Sequence, residues 1–235
     1  ITYLDADGKI IHKLEFDERP WSLNILPSGG IALGLGRPRG GILFLKPEGE
    51  MLIEEHLDLG DSPVCCGTGQ DEILLGHING NITKISTGGK PIFSQSITEE
   101  TIECMAKDSS RLLIGTSEGK AICYLDNNSA WSVDLGDKIE HICISNEEQA
   151  WFSTWSGRNG VVSYLKAKSG EIISHFTLSD RLRDIAVHES FTVIGTDDGR
   201  ILVLEEEMLT RRIDSDPKET NDRSDLRDRL RALRK

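Results

Sequence analysis

Apolar and polar positions alternate along most of this chain in short runs, and the runs recur in sets of four. The last set is the clearest: Leu182 to Val187, Phe191 to Ile194, Arg200 to Leu204 and Met208 to Ile213. Runs of this length, rich in Leu, Ile and Val and bounded by turn formers, read as β-strands. The second and third runs of each set, b and c, are joined by an apolar stretch, a glycine, three mostly polar residues and another glycine. Clean copies are Leu74 to Gly80, Leu113 to Gly119 and Val193 to Gly199, with looser ones at Ala32 to Gly40 and Trp151 to Gly160. A tight hairpin explains those glycines, because its turn needs residues that tolerate positive φ. A phosphate loop would need a helix after the glycines, whereas Ile-Leu-Val-Leu and Ile-Cys-Tyr-Leu follow them here.

Taking Gly34, Gly76, Gly115, Ser153 and Gly195 as equivalents, the repeat steps by 42, 39, 38 and 42 residues. A period near that length with four short strands per unit predicts the blades of a β-propeller. Full blades are expected at about 20–57, 64–96, 102–135, 139–178 and 182–213, preceded by a half blade at 1–16 that holds a c and a d strand. The fold class is therefore all-β, a propeller of six or seven blades whose first blade is incomplete. Residues preceding Ile1 are expected to complete that blade, because a propeller must hide its terminal strand edges. Residues 214–235 form a polar linker and a short helix or disordered tail.

The c to d turns carry a resemblance. Tyr3-Leu4-Asp5-Ala6-Asp7-Gly8-Lys9, and Tyr124-Leu125-Asp126 running to Trp131, place a Leu-Asp pair before a turn. In this the blades resemble those of WD-repeat and quinoprotein-like (pyrroloquinoline quinone repeat) β-propellers, although no Trp-Asp dipeptide closes a strand c. The resemblance implies a rigid, non-catalytic platform for binding a protein or peptide; fold alone does not establish function. The quinoprotein branch also contains enzymes with a disulfide between adjacent cysteines beside the quinone. Cys65-Cys66 is the feature of this chain that is similar to them, and a small-molecule enzyme using that pair and Asp197 at a channel mouth is the alternative reading. A bacterial lipoprotein-type propeller of outer-membrane assembly is a third.

Charge narrows the partners. The chain carries 27 Lys and Arg against 39 Asp and Glu, a net −12. Residues 211–235 hold nine basic against six acidic residues, leaving 18 against 33 for the body. An acidic body repels nucleic acid phosphates, so no DNA partner is expected. The five cysteines lack metal-ligand spacing and the six histidines are scattered, so no metal or cofactor is implied and the cysteines read as reduced core residues. No apolar run is long enough to span a membrane, and a cytoplasmic location is expected.

The loops between b and c and between d and the next a converge on one end of a propeller. They carry Arg19, Arg37 and Arg39 on adjoining loops, His77 and Asn79, Trp155 and Arg158 in a long turn, and Asp197. Trp beside Arg is the chemistry of interface hot spots, so these residues are the expected partner contacts. Trp21, Trp131 and Trp151 lie on strands and are expected to pack. In the tail, Leu226, Leu230 and Leu233 fall on one helical stripe, with Ser224 as N-cap. They are a second expected contact, for a partner or for self-association.

Overall fold

The computed structural model describes residues 1–5, 7–26, 30–36, 40–48, 51–58, 63–68, 72–86, 90–125, 128–146, 148–188, 190–205, 207–208 and 211, with the side chains of 46–48, 51–56, 64–68, 72 and 146 outside the description. The hairpin pattern resolves into antiparallel sheets. β1 (Thr2–Leu4) pairs with β2 (Ile10–Lys13). Four-stranded sheets follow: β3 (Pro20–Ile25), β4 (Ile31–Leu35), β5 (Ile42–Glu48) and β6 (Met51–Leu57), then β7 (Pro63–Thr68), β8 (Glu72–His77), β9 (Asn81–Ser86) and β10 (Pro91–Ser96). The next two are β11 (Ile102–Lys107), β12 (Arg111–Thr116), β13 (Lys120–Leu125) and β14 (Asn128–Asp134), and β15 (Ile139–Asn146), β16 (Gln149–Trp155), β17 (Gly160–Lys166) and β18 (Ile172–Leu178). The last has three strands among the described residues, β19 (Leu182–His188), β20 (Phe191–Thr196) and β21 (Ile201–Glu205).

Within each sheet the strands pair in chain order, as short hairpin connections require. The first strands stand side by side, β3 against β7, β7 against β11, β11 against β15 and β15 against β19, and form the inner row of the array. This is the all-β propeller arrangement that the repeat predicts. One strand differs. A fourth strand was expected over Met208 to Ile213, yet Glu207, Met208 and Arg211 are helical, and Arg211 pairs with Glu207 one turn away. That pair stabilises a local helical turn.

Apolar residues on successive positions of each b strand point to opposite faces, so the sheets of the interior bury both. Leu113, Ala121 and Cys123 face the following sheet and meet Ile139, Phe152 and Leu165. Leu74 and Ile82 likewise meet Ile102, Ile114 and Ile122, and Trp151, Val162 and Tyr164 meet Leu182, Ile185 and Ile194. At the start of the array, Ile1, Tyr3, Leu14 and Phe16 cover Leu33, Leu43 and Leu45 of the first full sheet.

The repeat's two glycines do different jobs. Gly119 turns the chain at a φ of 90°, beyond reach of most side chains. Gly115 makes room: a Cβ there would lie 2.5 Å from Ile139 Cγ2 of the following sheet.

Candidate functional site

Each first strand breaks register near its start. The pairing skips between Pro20 and Ser22, Pro63 and Cys65, Ile102 and Cys104, Ile139 and His141, and Leu182 and Asp184. A β-bulge re-aims the extra residue, and the residues skipped are Trp21, Val64, Glu103, Glu140 and Arg183. They lie at the end of the sheets where the b to c turns and the d to a connections meet.

Three of these residues carry ion pairs. Lys138, from the connection leading into β15, reaches back to Glu103 at 2.8 Å. Arg181, from the next connection, makes the same step back to Glu140, its Nε donating to Oε2 at 2.8 Å while Nη2 donates to Oε1. Glu140 is nearly buried, and this hydrogen bond raises the Arg181 pKa above its ordinary value. In the last sheet the position is Arg183, which pairs instead with Asp197. Between the turn and the connection, Lys120 donates to Glu100 at 2.6 Å. Burial pushes the Glu100 carboxyl upward, but the hydrogen bonds from Lys120 and Thr116 outweigh it and leave the pKa lowered. The last three sheets are thus tied together along this end by ion pairs, which strand patterns alone cannot show because they depend on the bulge.

Trp21 corrects the expectation that it packs in the core. Its bulge turns it outward, 51% exposed, with the Arg19 guanidinium 5.3 Å from the ring centroid. The ring lies against Gly36, where a Cβ would come within 2.5 Å of Trp21 Nε1. Trp131 and Trp151 do pack: Trp151 is buried against Tyr164, and Trp131 donates from Nε1 to the Ala167 carbonyl.

The remaining expected contacts are spread over this end. Trp155 closes the β16–β17 hairpin opposite Gly160 and is half-buried. Arg158 is exposed in the turn held by Ser156, whose Oγ accepts from the Arg158 and Asn159 amides. Among the described residues Arg158 has no ion pair, unlike Arg181, Arg183 and Arg200. His77 is buried, its Nε2 hydrogen-bonded to Thr83 Oγ1 at 2.9 Å, so it braces its own hairpin. Asn79 accepts from the Asn81 amide and shapes the same turn. Arg37 and Arg39 lie outside the described residues, as do Leu226, Leu230 and Leu233.

Cys65 and Cys66 sit on the backbone of β7, the innermost strand of its sheet, and their side chains lie outside the description. Cys104, Cys123 and Cys143 are free, and burial pushes the Cys123 and Cys143 thiols upward, away from the reactive thiolate. Among the described residues no group of three His, Cys, Asp or Glu could hold a metal ion, and no helix is long and apolar enough to cross a membrane.

No protein-family model matches this sequence, and no curated protein matches it. Solved structures do. The WD40 β-propeller domain of Doa1 superposes with a TM-score of 0.69 at 11% identity, over 83% of this chain and 67% of that one. The C-terminal WD40 domain of Sif2 gives 0.68 at 13% identity, over 88% of this chain and 61% of that one. BBS1N, solved in complex with ARL6DN, gives 0.63 at 12% identity, over 90% and 71%. The chain therefore spans about two thirds of these neighbours' length, and it has the fold of a WD40 β-propeller.

Proposed function

We propose that this chain is a non-catalytic scaffold that binds a protein or peptide partner through the end formed by its b to c turns and d to a connections. The observation that carries this reading is the outward-turned Trp21 with Arg19 stacked over it, on an end that also presents Trp155 and the exposed Arg158. An exposed indole beside a guanidinium offers a large contact area with a fixed charge, the composition of interface anchors. The ion pairs Lys138–Glu103 and Arg181–Glu140 hold these loops on rigid sheets, so little loop entropy is lost on docking. BBS1N, a neighbour in fold, is itself solved with a protein partner, and a comparable platform role fits this chain.

The test is affinity capture from source lysate with the wild-type chain beside two variants, Trp21→Ala with Arg19→Ala, and Trp155→Ala with Arg158→Ala, each shown to melt like the wild type. Loss of the same captured protein from either variant supports the reading. A partner retained in full by both overturns it.

A further inference from the structure

At the opposite end of the array a groove opens between the β7–β10 and β11–β14 sheets, with a volume of about 310 Å³. It runs along β9 and β10 and is walled by the turn from β11 to β12 and by the end of β13. Among the described residues its lining contains three cations, Lys84, Lys107 and Arg111, and no carboxylate. That composition stands out in a chain where acidic residues outnumber basic ones by 39 to 27.

Lys84 departs from the repeat. Register makes it the equivalent of Cys123 and Tyr164, since each lies two residues beyond the partner of its sheet's Gly76, Gly115 or Ser153 position. Cys123 and Tyr164 are buried against the following sheet. Where the repeat asks for an apolar contact, this sheet places an ammonium group, 5.8 Å from the Phe93 ring centroid. At the following interface the equivalent of Phe93 is Trp131, which fills the space and bonds the Ala167 carbonyl. Here the space is left open.

Arg111 is 6% exposed at the groove wall. Its Nε donates to Asp108 Oδ2 at 2.9 Å and its Nη2 lies 2.7 Å from the same oxygen, but its Nη1 is buried with no hydrogen-bond partner. Asp108 also accepts from the Ser110 and Arg111 amides, so the turn that carries Arg111 is fixed. An unmet donor on a buried guanidinium is costly unless an acceptor meets it.

We propose that this groove binds an acidic peptide segment, one carboxylate side chain set among Arg111, Lys84 and Lys107 with an apolar neighbour on Leu74, Ile82 and Leu112. The carboxylate would meet the remaining Arg111 edge, where Asp108 already occupies the other. Phosphate alone makes no use of the apolar floor, and the volume is at the small end for ligand pockets, enough for one or two side chains. The groove is independent of the Trp21 and Trp155 end, so failure of either assignment leaves the other standing.

The experiment is an NMR titration of the isotope-labelled full chain with acetyl-Leu-Glu-Leu-amide, with its glutamine counterpart and with inorganic phosphate. The glutamate peptide should shift the amides of residues 82–84 and 107–112 and bind about tenfold more tightly than the glutamine peptide, as a single charge-assisted hydrogen bond allows. Lys84→Gln with Lys107→Gln leaves the buried Arg111 pair intact and should erase most of that preference. Asp108→Asn should strengthen glutamate binding if the chain remains folded. Equal binding of the two peptides, no shifts at millimolar peptide, or phosphate moving the same amides more strongly than the glutamate peptide would each overturn the proposal.

Discussion

The third full sheet, β11–β14, and the last, β19–β21, are built on the same register, yet among the described residues only the third has a sheet packed over its forward face. Leu113 pairs with Cys123 and Gly115 with Ala121; Val193 pairs with Val203 and Gly195 with Ile201. Leu113, Ala121 and Cys123 are buried against β15–β18, whereas Val193, Ile201 and Val203 are 37%, 72% and 60% exposed. The same strand pattern therefore stands in two solvent environments, and the difference separates what the strand pattern specifies from what a neighbouring sheet supplies.

The largest expected contrast is in stability. Leu113→Ala removes side-chain volume from a filled inter-sheet core and should cost about 2–5 kcal/mol. Val193→Ala, at the same register with no sheet over it, should cost under about 1 kcal/mol. Urea unfolding of both variants measures the two, and equal costs would mean that the last sheet is covered in solution.

Gly115 and Gly195 give the second contrast. Added at Gly115, a Cβ meets Ile139 Cγ2 at 2.5 Å and Cys104 Sγ at 2.8 Å; at Gly195 it meets nothing within 4 Å. Neither glycine is among those with positive φ, so alanine is sterically excluded at one and accommodated at the other. Gly115→Ala should destabilise by about 1–3 kcal/mol through overpacking, and Gly195→Ala should be neutral or slightly stabilising because it restricts the unfolded chain. The first glycine of the repeat is thus a demand of the following sheet, while the second is a demand of the turn.

That distinction bears on how far the molecule was legible from its sequence. Turn glycines and strand alternation act locally, so the hairpins and the four-strand units of the interior could be read directly. The bulges could not, because register is settled by pairing across strands; reading Trp21 as a packing residue failed for that reason. The Met208 to Ile213 run alternates as a strand should, but its described residues Met208 and Arg211 are helical, with Arg211 paired to Glu207 one turn away. At the site, the hairpin pattern alone was enough to put Trp155 and Arg158 at the β16–β17 turn, where Arg158 is exposed and Trp155 half-buried. The ion pairs Lys138–Glu103 and Arg181–Glu140 join residues 35 and 41 positions apart and become visible only once the sheets stand side by side. Lys84 did leave a trace, as a charged residue in a position where the other sheets carry Cys123, Tyr164 and Val203.

His141 offers a smaller contrast, set by pH. It lies on β15, and burial against the following sheet holds its pKa below the ordinary histidine value, with Asp184 and Glu140 opposing that shift. The folded state therefore favours the neutral ring. Its contribution is complete above the unfolded value near 6.5 and is lost as pH falls below it, down to the folded pKa. Melting temperature should drop between pH 7 and pH 5, and His141→Asn, which cannot titrate, should flatten that slope. Parallel slopes in the two proteins would assign the pH response to other groups.

The smallest expected effect comes from the exposed face itself. Replacing Ile201 and Val203 together with threonine keeps two β-branched residues on β21, so strand propensity is maintained. With most of each side chain already in water, little apolar area is lost from the folded state, and stability should change by no more than about 0.5 kcal/mol. Threonine at the equivalent Ala121 and Cys123 of the third sheet would bury unmet hydroxyls against Ile139 and Phe152 and cost far more. If the Ile201→Thr, Val203→Thr variant instead lost more than about 2 kcal/mol, the forward face of the last sheet would have to be covered in solution, and the contrast between the two sheets would belong to the isolated chain rather than to the folded protein. Sedimentation of the wild type and the variant at the concentration used for unfolding would then show whether a second copy provides the cover, since a dimer lost on substitution has a mass half as large.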